Sequence, residues 1–120
     1  MKTTFHLNGN IHTIAPSNKL EGVKAIHVKG NRWFQKTYGN TYHKAYISVL
    51  IDGVWHDIGE TDIQYGYGDQ YLISAGEWLI ENGYIESDQY SGYYATRLNF
   101  EQLGIAFSYT TQDVKRKRDL

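Results

Sequence analysis

The sequence predicts an α+β fold: an antiparallel β-sheet of four to six strands packed against one main α-helix at about residues 69–82. Three observations predict it. Asn8-Gly9 and Asp52-Gly53 stand between runs rich in β-branched and aromatic residues, and such dipeptides favour two-residue hairpin turns because both positions tolerate positive φ. Leu72, Ala75, Trp78 and Leu79 recur at helical spacing, which marks one strong amphipathic helix. Alternation resumes after that helix, so strands flank it on both sides.

The elements follow in order. Asn8-Gly9 joins Thr3–Leu7 to Asn10–Ile14 as an opening hairpin, and Pro16-Ser17-Asn18 reads as a loop. Val23 to Thr37 is extended, with a bend or bulge expected at Gly30-Asn31, and Tyr38-Gly39-Asn40 is a turn. Thr41 to Ile51 is the clearest strand, and Val54 to about Ile63 returns beside it. Asp69 is placed to cap the helix, while Gly83 is placed to end it in a left-handed turn with Tyr84 packing back on Leu79. Glu86 to Ser91 reads as a polar loop, Tyr93 to Arg97 as extended, and Asn99 to Leu103 as a helical turn stopped by Gly104. Ile105 to Thr111 alternates as a last strand. Residues 1–114 form one domain, and the basic segment 115–120 is expected to fray.

The Asp52-Gly53 turn also predicts a register. Ile51 faces Val54, Val49 faces His56, Ile47 faces Ile58, Ala45 faces Glu60, His43 faces Asp62 and Tyr42 faces Ile63. The core face then carries Ile47, Val49, Ile51, Val54 and Ile58, with His56 at its rim. Tyr42, Lys44, Tyr46, Ser48, Trp55 and Asp57 take the wetter face.

Composition narrows the chemistry. The chain of 120 residues has no cysteine, which excludes disulfides and thiolate metal sites and fits a reducing compartment. No apolar run reaches membrane-spanning length, and the first residues lack the apolar core of a signal peptide. The net charge of −1 hides an asymmetry: residues 1–51 carry +6, residues 52–114 carry −10, and the last six carry +3. Pairing of basic with acidic strands would neutralise it.

Catalytic signals are weak. No serine stands in a nucleophile elbow, and Asp57 with Glu60 reads as a solvated strand edge. His43, Asp62 and Glu60 could hold a hard metal, but a cross-strand His43–Asp62 charge pair accounts for them, so no metal and no cofactor is expected. Gly66 and Gly68 before the helix resemble part of a phosphate loop, yet Asp69 would repel the anion. Asp69, Glu77, Glu81, Glu86 and Asp88 could imitate a phosphate backbone, or simply form a solvated face.

Two aromatic clusters stand out. Arg32-Trp33-Phe34-Gln35-Lys36 leads to Gly39-Asn40-Thr41-Tyr42-His43, and Tyr65-Gly66-Tyr67-Gly68-Asp69-Gln70-Tyr71 follows. In the register above they meet at one end of the sheet. Rings give contact area at low entropic cost, so Arg32, Trp33, Tyr38, Asn40, Tyr42, His43, Tyr65, Tyr67 and Asp69 form the candidate contact face. Packing of the helix entry would explain the same rings. Lys29, Arg32, Lys36 and Lys44 lie among Trp33, Phe34, Tyr38, Tyr42 and Tyr46, a pattern that suits single-stranded nucleic acid or a nucleotide.

These two segments resemble a family of small bacteriophage and prophage proteins of uncharacterised activity, over roughly residues 24–83. The resemblance implies a phage accessory protein in the host bacterial cytoplasm. It further implies a non-enzymatic role: binding and inhibiting a host factor, such as a component of CRISPR or another defence system. The alternative expectation is a nucleotide or nucleic-acid binding module. A small hydrolase using His43 or His56 with Asp57, Glu60 or Asp62 is a third. No oligomeric state is implied.

Overall fold

A computed structural model describes residues 3–7, 10–16, 18–87 and 104–120, with side chains described for 19–85 and 104–120. The described elements are strands β1 (Thr3–Leu7), β2 (Asn10–Pro16), β3 (Val23–Gln35), β4 (Asn40–Ile51), β5 (Val54–Glu60) and β6 (Gln64–Tyr65), helix α1 (Gln70–Glu81), and strands β7 (Ile85–Ser87) and β8 (Ala106–Val114). Short 3₁₀ turns cover Asn18–Leu20 and Lys117–Asp119. The α+β class with one main helix stands. β1, β2 and β7 form a three-stranded antiparallel sheet. The larger sheet is ordered β5-β4-β3-β8, with β6 also on β4. It is mixed rather than antiparallel, because β8 runs parallel to β3. Glu86 and Ser87, expected to open a polar loop, belong to β7, and the Asn8-Gly9 turn and the rest of the elements expected up to Leu103 lie outside the described residues.

Local chemistry explains most elements. Asp52 and Gly53 both hold positive φ (50° and 78°), so the β4–β5 hairpin closes in the expected two-residue turn. The helix ends as a Schellman motif: Tyr84 N–H donates to Leu79 O at 2.9 Å and Gly83 N–H to Ile80 O at 3.1 Å, with Gly83 at φ 76°. Tyr84 stacks on Trp78, at 5.6 Å between rings, and packs against the core cluster that contains Leu79. Asp69 occupies the N-cap position without a side-chain capping bond.

The core forms where α1 crosses one face of the large sheet. Tyr71, Leu72, Ala75 and Leu79 meet Ile26 and Val28 of β3 and Ala45, Ile47 and Val49 of β4. Gly30 does not bend β3, which runs unbroken from Val23 to Gln35 with its irregularity at Lys24. Gly30 instead makes room for the Tyr71 ring, which a Cβ there would strike.

The predicted β4–β5 register holds from Ile51↔Val54 to Ser48↔Asp57 and then slips, so Ile47 faces Gly59 and Tyr46 faces Glu60. The extra residue is a bulge that puts Gly59, not Ile58, under the Trp78 ring, where a Cβ would clash. Thr61 then bridges β5 to β6: Ala45 N–H donates to Thr61 Oγ1 at 3.0 Å, and Thr61 N–H donates to Ala45 O at 2.9 Å. Consequently Tyr42 faces Tyr65 rather than Ile63, and His43 faces Gln64 rather than Asp62. Val54 and His56 lie on the expected face, opposite Ile51 and Val49, but are exposed rather than buried.

Candidate functional site

Both aromatic clusters do converge. The end of β3 pairs with the start of β4 as Arg32↔His43, Trp33↔Tyr42 and Phe34↔Thr41. β6 adds Tyr65 opposite Tyr42, and β8 adds Asp113 beside Arg32 and Val114 beside Trp33. Strand alternation sorts these residues between two faces. Arg32, Phe34, His43 and Asp113 lie on the α1 side, and Trp33, Tyr42 and Tyr65 on the other.

On the α1 side, polar groups pin the loop that enters the helix. His43 is only 1% exposed. Its Nδ1–H donates to Gly66 O at 3.0 Å, since a carbonyl only accepts, and its Nε2 accepts from Ser74 Oγ–H at 2.7 Å. Burial holds its pKa below the ordinary imidazole value, against the upward pull of the Gly66 carbonyl. Arg32 Nη1 donates to Gly68 O at 3.2 Å while its Nε pairs with Asp113 at 2.8 Å. Gly66 N–H donates to Thr41 O at 2.9 Å. The loop is thus held at Gly66 and Gly68, and the intervening and preceding rings are turned outward.

The outward rings are large. Tyr67 is 75% exposed, Tyr38 74%, Tyr65 66% and Phe34 54%. Arg32, Phe34, Lys36, Tyr67, Asp113 and Lys115 line a cleft of about 640 Å³. Three cations thus meet one carboxylate beside two exposed rings. On the other face, Trp33 stacks on Tyr42 at 5.8 Å, and Tyr65 meets Tyr42 edge-on at 5.7 Å. With Ile63 and Lys117 they line a smaller recess of about 330 Å³.

The candidate residues therefore separate by position. Tyr38, Tyr65 and Tyr67 present free ring surface, and Asp69 is exposed at the helix start. Trp33 and Tyr42 are half-buried partners of one another, and Asn40 is half-buried opposite Gln35. His43 is buried and Arg32 is engaged in holding the loop. Phe34, expected only as one of the rings of a nucleic-acid surface, shares the α1-side cleft with Arg32. Sequence reasoning passed over Lys115 and Lys117, because the segment expected to fray is packed: it turns at Lys117–Asp119 and buries Leu120.

Of the other candidates, Glu77 and Glu81 are exposed on α1, while Asp88 lies outside the described residues. Among the described residues no cluster of histidine and carboxylate groups has the geometry of a metal site. His27 meets Ser108 Oγ at 2.7 Å and Thr110 Oγ1 at 3.1 Å, so a hydroxyl stands where a catalytic dyad's orienting carboxylate would. No helix among the described residues is long and apolar enough to cross a membrane. Comparisons with protein-family models, curated proteins and solved structures find no match.

Proposed function

We propose that this protein acts by binding, as a non-enzymatic phage accessory protein that inhibits a host factor, with a bacterial defence component as the target. The observation that carries the reading is the loop clamped by His43 and Arg32, which holds Tyr67 exposed beside Phe34 in one cleft and Tyr65 exposed on the other face of the same sheet end. Exposed rings on a fixed backbone lose little freedom on docking, and interface hot spots favour tyrosine and arginine for that reason. Lys36 and Lys115 line the cleft beside Phe34 and Tyr67, so an acidic patch on the partner suits this face.

The test is affinity capture of tagged protein from bacterial lysate, read by mass spectrometry, beside a Tyr38→Ala/Tyr67→Ala variant. One dominant host protein retained by the native chain and lost by the variant supports the proposal. An identical set of proteins on both removes it.

A second reading, single-stranded nucleic acid or a nucleotide, is favoured by the cleft in which Arg32, Lys36 and Lys115 adjoin Phe34 and Tyr67. Bases stack on rings while cations follow phosphates. This reading predicts oligonucleotide binding that weakens steeply with salt. Binding that ignores ionic strength would count against it.

A further inference from the structure

The sheet face turned away from α1 holds a second recess. His27, Lys29 and Asn31 of β3 share that face, with Tyr46 and Ser48 beside them on β4 at the positions Lys29↔Tyr46 and His27↔Ser48. Asp57 and Glu60 of β5 stand beyond. The C-terminal segment returns over this face, where Tyr46 O–H donates to the main-chain oxygen of the buried Leu120. A groove of about 790 Å³ results, lined by Asn31, Tyr46, Asp57, Glu60 and Asp119 among others.

Two independent features define its chemistry. Asn31 is 7% exposed, and its Oδ1 is buried without a hydrogen-bond partner. A buried acceptor in that state keeps its full desolvation penalty, which an incoming N–H donor would relieve. The carboxylates of Asp57, Glu60 and Asp119 also line the groove together with the ammonium of Lys29, and Lys44 and Arg116 pair with Glu60 and Asp119 at its edge. Among the described residues each carboxylate is engaged through one oxygen, by Ser48 at 2.8 Å, Lys44 at 3.3 Å and Arg116 at 3.0 Å respectively. Their second oxygens remain as acceptors. His27 adds no countercharge: burial lowers its pKa, and both ring nitrogens are engaged by Ser108 and Thr110.

We propose that this groove binds an organic cation rich in N–H donors, an alkylammonium or guanidinium group. One N–H meets Asn31 Oδ1 and the others meet the open oxygens of Asp57, Glu60 and Asp119. The Tyr46 ring and Ile58 flank the alkyl portion, and the Asp119–Leu120 hook closes one wall. The site lies on the opposite face from the Arg32–Lys36–Lys115 cleft and shares no lining residue with it, so it does not depend on the binding role proposed above.

The experiment is calorimetric titration of the full chain with agmatine, spermidine and N-acetyl-arginine amide. Saturable binding of agmatine or spermidine alone identifies a free amine as ligand. Binding of the arginine amide as well identifies the guanidinium of a partner's side chain as sufficient. Asp57→Asn/Glu60→Gln, at exposed positions, should weaken binding by about tenfold or more, as loss of charge-assisted bonds does. Asn31→Leu should abolish binding and raise the melting temperature, because it removes the orphaned acceptor. Tyr67→Ala should leave binding unchanged, which separates this site from the ring face. Absence of saturable binding by all three cations at millimolar concentration overturns the proposal, as does equal binding by the Asp57→Asn/Glu60→Gln variant.

Discussion

His43 illustrates how a single side chain joins three elements. It stands on β4, holds Gly66 ahead of the helix and accepts from Ser74 on α1. His43→Leu leaves the Gly66 carbonyl and Ser74 hydroxyl unpaired in a buried setting, at an expected loss of about 1–3 kcal/mol in denaturant unfolding. The pH dependence has a definite sign. Burial lowers the folded-state pKa of His43, and that of His27 likewise. The unfolded chain therefore binds protons that the folded chain refuses. Stability is complete above the unfolded value of about 6.5 and falls as pH drops through it, levelling only below the folded value. Melting temperatures between pH 7 and pH 5 should decline, and less steeply in His43→Gln. An unaltered slope would assign the linkage elsewhere.

At the scale of elements, close approach governs the contact between helix and sheet. Gly30 admits the Tyr71 ring and Gly59 admits that of Trp78. Gly30→Ala should destabilise by about 1–3 kcal/mol through overpacking, with Gly59→Ala similar, both measurable by chemical denaturation. Tyr71 also reaches Thr111 of β8 at 3.1 Å, so a displaced ring loosens the parallel strand as well. The loop clamp behaves differently. Arg32 pairs with a largely exposed Asp113, so Arg32→Ala should change stability by no more than about 1 kcal/mol. It should nonetheless weaken partner capture, because the Gly68 carbonyl loses its tether and Tyr67 its fixed placement. A full-strength capture by Arg32→Ala would sever the link between clamp and contact.

Across the molecule, the charge asymmetry is resolved partly by pairing and partly by segregation. Lys44–Glu60 and Arg32–Asp113 join the basic N-terminal part to later acidic strands. Lys36 and Lys115 line the cleft with Phe34 and Tyr67, and Lys117 the recess with Tyr65 on the other face, while Asp57, Glu60 and Asp119 line the groove on the open face. Tyr38 and Tyr67 project from the body, so Tyr38→Ala/Tyr67→Ala should leave the melting temperature within about 2 °C of native, as exposed substitutions do. Tyr42→Ala, which removes the partner of both Trp33 and Tyr65, should lower it clearly. Comparing the two melts separates ring surface used for contact from ring surface used for packing.

The sequence by itself determined what short-range chemistry controls. The Asp52-Gly53 hairpin, the 70–81 helix with its Gly83 stop, the long β4 alternation and the meeting of the two aromatic clusters were all legible, because each depends on backbone preference or on a period within one segment. Tertiary structure decided the remainder. Trp78 lying over β5 selected the bulge at Gly59, and the Thr61 crossover carried the register on to Tyr65. Packing of β8 beside β3 made the sheet mixed and brought Lys115 and Lys117 to the rings. The hook at Leu120 turned an expected loose end into the wall of a groove. Each of these couples residues far apart in the chain, where the outcome depends on which surfaces bury one another rather than on local propensity.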